Sequence, residues 1–98
     1  MNIQKMMAQA QAMQNKVQAE LEALRVEASS GGGLVSVEMT GHKELVGIKI
    51  DPSVVDKDDV ETLQDLVLAA CREASRRVDE AVSQKTSSLL SGMLPGMR

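Results

Sequence analysis

The sequence predicts an α+β domain in the order α-β-β-β-α, a small three-stranded antiparallel sheet flanked by two long helices. Apolar residues recur with a period of two in the middle of the chain and with a period near 3.6 on either side of it. In Gly31 to Asp51, GGGLVSVEMTGHKELVGIKID, residues Val35, Val37 and Met39 point to one side of a strand and Leu34, Ser36, Glu38 and Thr40 to the other. Val46, Ile48 and Ile50 resume the alternation after Thr40-Gly41-His42-Lys43-Glu44, so the segment reads as a β-hairpin with one apolar face. Leu24 to Ser29 alternates as well, with Leu24, Val26 and Ala28 inward and Arg25, Glu27 and Ser29 outward, before the break from Ser29 to Gly33. These segments make a meander over 25–51.

The first helix is expected over 1–24, with its periodic part starting at Ile3 and rich in the helix formers Ala, Gln, Met, Lys and Glu. Ile3, Met6, Met7, Ala10, Met13, Val17, Leu21 and Leu24 fall on one stripe, and Lys5, Gln9 and Lys16 cluster on the polar side. The stripe spacing is close to a short heptad seam, suited to pairing with another helix as well as to lying on the sheet. Asp51-Pro52 ends the last strand, because proline cannot donate to a ladder, and Ser53 to Lys57 is a short connection.

The second helix is expected over 58–90. Asp58 and Glu61 have capping-box spacing, and the stripe Val60, Leu63, Val67, Cys71, Ala74, Val78, Ala81, Val82 and Leu89 should face the sheet. Lys85 falls inside that arc, so packing on the domain should weaken there and the helix end project. Residues 91–98, with Gly92, Pro95 and Gly96, read as a flexible tail.

The 98 residues leave room for one domain over 1–98, and a chain of this length buries only about 60 to 65% of its unfolded surface. It has no Phe, Tyr or Trp, so a core of Val, Leu, Ile, Ala and Met is thin for one copy, and completion by self-association is expected. The lone Cys71 suits a reducing compartment, and no signal peptide or membrane-length apolar run is evident; a cytoplasmic location is expected. The net charge of −3 speaks against coating nucleic acid by charge alone.

Catalysis finds little support. His42 lies in the hairpin turn beside Lys43 and Glu44, where a histidine is ordinarily a solvated residue. Cys71 is on the apolar stripe of the second helix and behaves there as a small hydrophobe. One His and one Cys make no zinc set, and no nucleophile has a base in a recognisable arrangement. Gly31-Gly32-Gly33 precedes a strand and lacks GxxxxGK, so it is a link between strands and not a phosphate loop. No enzyme, cofactor, metal, membrane or small-molecule substrate is expected.

Surfaces remain. Arg72, Arg76 and Arg77 on the second helix have the spacing to grip phosphates, yet Glu73 to Arg77 and Arg76 to Glu80 are i,i+4 pairs, equally suited to a salt-bridged solvated face. On the first helix Lys5, Gln9 and Lys16 form a dilute patch that a symmetric dimer would present twice. The lack of aromatics speaks against single-strand binding by stacking. A protein-interaction module whose long Met-lined helices clasp a partner stays open beside a DNA-binding role.

Three stretches in this order, MMAQAQAMQNKVQAELEAL, GGGLVSVEMTGHKELVGIKIDPSVV and ETLQDLVLAACREASRRVDEAVSQKTSSLLSGM, followed by LPGM, resemble the YbaB/EbfC family of bacterial nucleoid-associated proteins over almost the whole chain. The resemblance implies a homodimer whose helices extend from a joined sheet core like the arms of tweezers. It implies binding of double-stranded DNA with a change in DNA conformation, nucleoid organisation and a part in gene regulation. It also points to Lys5, Gln9 and Lys16 on the first helix, with Arg72, Arg76 and Arg77 on the second, as the DNA-binding residues.

Overall fold

The structure, a computed structural model, describes residues 2–93, with side chains over 2–88. Its elements are α1 (Ile3–Ala23), β1 (Arg25–Ser30), β2 (Val35–Thr40), β3 (Leu45–Ile50), a 3-10 turn over Pro52–Val54, and α2 (Val60–Met93). The α-β-β-β-α order read from the sequence is the order found. Three strands make one antiparallel sheet with β2 in the centre.

Local chemistry sets the element ends. Asn2 caps α1 by accepting the Lys5 N–H at 3.2 Å, and the Leu24 N–H closes the helix on the Glu20 carbonyl. Leu24, expected as the first inward residue of a strand, is thus the C-cap of α1, and the strand runs one residue later, from Arg25 to Ser30. α2 is capped by Asp59 rather than Asp58: the Asp59 carboxylate accepts the Thr62 N–H at 3.3 Å and the Thr62 hydroxyl at 2.6 Å. The helix continues to Met93, three residues past its expected end at 90; the rest of the expected tail, 94–98, lies outside the described residues.

α2 lies across β1 and β2. The sealed core consists of Ala28, Val35, Val37 and Met39 from the sheet and Ala70, Ala74 and Val78 from the helix. Ala70 was not on the expected stripe, whereas Val60, which was, is 51% exposed. The helix is therefore turned toward its Leu66 and Ala70 side, where Leu66 packs against the core and its carbonyl accepts the Ser30 hydroxyl at 2.6 Å.

β3 is different. Val37 faces Ile48 and Val35 faces Ile50, but a bulge at Val46 sets Leu45, not Val46, opposite Met39. The simple alternation of Val46, Ile48 and Ile50 therefore breaks at its first member. All six residues of β3 are exposed, with Ile48 at 49%, because α2 covers only the other two strands.

The β1–β2 link needs its glycines: Gly31, Gly32 and Gly33 all have positive φ, and a Cβ on Gly31 would stand 2.8 Å from Leu66 Cδ2. Gly31→Ala is expected to cost about 1–2 kcal/mol for the left-handed backbone alone. It should cost more than Gly32→Ala, whose Cβ would meet nothing within 4 Å. Chemical denaturation of the two variants at one protein concentration checks the order.

Candidate nucleic-acid interface

α1 has no buried residue and packs chiefly against the end of β2, so most of its length projects. α2 also outruns the sheet, since every described side chain from Ser83 to Ser88 is exposed. Both helices leave from the same end. The Gly41 N–H bonds the Leu21 carbonyl of α1 at 3.0 Å, and the neighbouring Lys43 Nζ meets Asp79 Oδ1 of α2 at 2.9 Å. The result is elongated, 69 × 29 × 15 Å.

Charge is sorted along that shape. From Asn2 to Ala19 α1 carries Lys5 and Lys16 and no acid, and from Ala81 to Met93 α2 carries Lys85 and no acid. The acids stand elsewhere: Asp56, Asp58, Asp59, Glu61 and Asp65 crowd the start of α2, at the opposite end. A net charge of −3 thus conceals two arms whose only charges are positive.

The six residues singled out from the sequence do not form one patch. Lys5 and Lys16 stand exposed on α1 without an ion pair among the described residues. Gln9 borders the apolar stripe instead, lining an open groove along α1 with Met6, Ala10, Met13 and Gln14. On α2, Arg72 is exposed and without an ion pair among the described residues. Arg76 is held by Glu73 at 2.6 Å and Glu80 at 2.9 Å, and Arg77 by Glu73 at 3.1 Å. Arg77 Nη1 also donates to the backbone carbonyl of Glu27 at 2.7 Å, tying α2 to the edge strand β1. Arg76 and Arg77 are thus the salt-bridged face that their spacing allowed, and Arg77 fastens the fold.

Lys49 and Lys85 are also without an ion pair among the described residues and were not among those six. Lys49 is on the outer face of the sheet, in an open dish with Ser29, Ser36, Glu27, Glu38 and Arg77. Glu27 and Glu38 sit directly opposite one another there, with Arg25 3.6 Å from Glu38, so this face is a poor place for phosphates. Lys85 could be found from the same signal that flagged it as misplaced in an apolar arc: a lysine where packing has ended. Among the described residues no three His, Cys, Asp or Glu side chains converge as metal ligands, and no helix is long and apolar enough to cross a membrane.

The sequence matches the model of the YbaB/EbfC DNA-binding family over residues 1–93. The chain belongs to this family. A nucleoid-associated protein of Clostridium novyi (strain NT) is 50% identical over 101 residues, spanning 99% of this chain and 89% of the relative. One from Koribacter versatilis (strain Ellin345) is 49% identical over 96 residues, 97% and 95% of the two chains. The crystal structure of an uncharacterized protein from Helicobacter pylori superposes with a TM-score of 0.72 at 25% identity, covering 92% of this chain and 98% of that one. Within the YbaB/EbfC frame, the arms that this chain keeps free of acid are the parts its fold leaves uncovered.

Hydrogen bonds from Arg76 and Arg77 hold the Glu73 carboxyl at about 2, below its ordinary 4.5. A depressed carboxylate stabilises the fold at pH above its ordinary value, and that contribution is lost as pH falls from 4.5 toward 2. Glu73→Gln is therefore expected to flatten the decline of Tm across this window. Thermal scans of both proteins between these limits test it.

Proposed function

We propose that the protein binds double-stranded DNA as a homodimer, through the exposed sides of its projecting helices, and acts in the cytoplasm as a nucleoid-associated protein that alters DNA conformation. The observation that carries this is the sorting of charge: Lys5, Lys16 and Lys85 on arms without acids that leave the sheet at one end, in a chain that is acidic elsewhere. Membership in a DNA-binding family and the names of the bacterial relatives support it. Lys5 and Lys16, with Gln9 on the same helix, and Arg72 on α2 are free to meet phosphates, while Arg76 and Arg77 contribute on release from Glu73 and Glu80. Lysines on exposed helices make point-charge contacts that position a protein on the backbone without reading sequence. A part in gene regulation would follow from altered DNA shape.

The dimer forms over β3. Its apolar residues Leu45, Ile48 and Ile50 lie uncovered beside α2, and its outer edge has no strand partner among the described residues. A second copy laid on this surface completes the core that an aromatic-free chain leaves open. Ile48→Glu is expected to turn a dimer into a monomer in sedimentation at micromolar concentration; a monomeric wild type would sink the dimer.

Fluorescence anisotropy with a mixed-sequence duplex across about 50 to 200 mM salt tests the DNA reading. Replacing Lys5 and Lys16 by Gln removes four cations from a dimer and is expected to flatten the salt slope by up to about 3.6. Unchanged binding would remove α1 from the interface. The second reading, a clasp on a partner protein, is favoured by the uncovered stripe of α1, where Met7 is 66% exposed. Binding by purified protein alone decides between them.

A further inference from the structure

α1 has no buried residue, so packing along its length does not set its direction. Its attachment is at its last turn, to the turn between β2 and β3. There the Gly41 N–H donates to the Leu21 carbonyl at 3.0 Å, in the last turn of the helix, where that oxygen also accepts the Leu24 N–H at 3.3 Å. A Cβ on Gly41 would stand 2.6 Å from that oxygen and 3.0 Å from Leu21 Cα, a backbone clash that no rotamer change relieves. His42 Nε2 lies 3.8 Å from Glu22 Oε2 of α1, beyond hydrogen-bond range.

The same turn holds α2. Lys43 Nζ meets Asp79 at 2.9 Å, and Lys43 is the one non-glycine with positive φ among the described residues, at 65°. Three-residue hairpin loops ordinarily put glycine at that left-handed position. A lysine there keeps a strained backbone and gains a reach to α2. The turn itself is stiff: Thr40, 2% exposed, accepts the N–H groups of His42 and Glu44 on its hydroxyl at 3.1 and 3.3 Å.

We infer that the Thr40–Glu44 turn fixes the angle between the two arms, with Gly41 and Lys43 as positioning residues for DNA binding; its bearing on DNA rests on the function proposed above. Leverage makes the angle matter. A rotation of about 10° at Leu21 moves Lys5, sixteen residues up the helix, by about 4 Å, which is more than a hydrogen bond spans.

The test places spin labels at Gln11→Cys and Gln84→Cys in a Cys71→Ser background, dilutes labelled chains with unlabelled ones, and reads within-chain distances beside duplex affinity. Gly41→Ala is expected to keep its circular dichroism, shift the distance by about 2.6 Å at Gln11, ten residues from the pivot, and weaken duplex binding about tenfold. Lys43→Asn, which tolerates the left-handed backbone but cannot pair with Asp79, should broaden the distribution and cost about threefold in affinity. The reversed pair Lys43→Asp with Asp79→Lys should restore both. Should Gly41→Ala fail to fold, Lys43→Asn and the reversed pair decide. Unchanged distances overturn the inference, and shifted distances with wild-type affinity overturn its bearing on DNA. Lys16→Gln separates the two readings: it should lower affinity at unchanged distances, and if it binds as wild type the DNA face has failed while the distances still judge the turn.

Discussion

The contact on which the rest of the structure depends is the close seam between Ala70, Ala74 and Val78 of α2 and Ala28, Val35 and Val37 of the sheet. Small side chains let the helix approach the strands, and in a chain without aromatic residues they are also what is available to fill the space. The seam is narrow in consequence. One helix closes over β1 and β2, and β3 keeps its apolar residues open. A fold that seals two of three strands has an unfinished core, and finishing it from outside is the cheapest way to gain buried apolar area without larger side chains.

The electrostatics divide along the same line. Where α2 is packed, two of its three arginines are spent on structure: Arg76 bridges two glutamates one turn away on either side, and Arg77 reaches a β1 carbonyl. Arginine suits that work because its planar fork forms several directed hydrogen bonds at once. Where the helices project, the cations are lysines, with flexible stems and compact charges that meet a phosphate from many angles. Net charge, taken over the whole chain, averages the two populations and hides the difference between them.

The element order was legible because each period runs long enough to be unambiguous, and the hairpin turn stood out between two alternating runs. What stayed hidden was interfacial. Ala70 carries too little apolar area to mark a stripe, yet it is at the centre of the seam because a small residue is what the close approach needs. The bulge at Val46 left no sign in a run where Leu45, Val46, Ile48 and Ile50 are all apolar. Asp58 and Asp59 are equivalent as caps by type, and the structure chose the one with Thr62 three residues on. Of the candidate site, Lys5 and Lys16 were legible as exposed cations on an amphipathic helix. The part taken by Arg77 was not, because its partner is a backbone carbonyl fifty residues away.

The two arms are built to different stiffness. The outer part of α2 is continuous with the packed seam, so its direction is inherited from the core and costs nothing more to hold. α1 begins in solvent and ends against a turn, with the chain passing straight from Leu24 into β1. Its angle depends on a few polar contacts, which water and salt weaken far more readily than they weaken a buried apolar seam. Closing two such arms on a duplex would therefore load the contact between the last turn of α1 and Gly41 before it loaded the seam beneath α2.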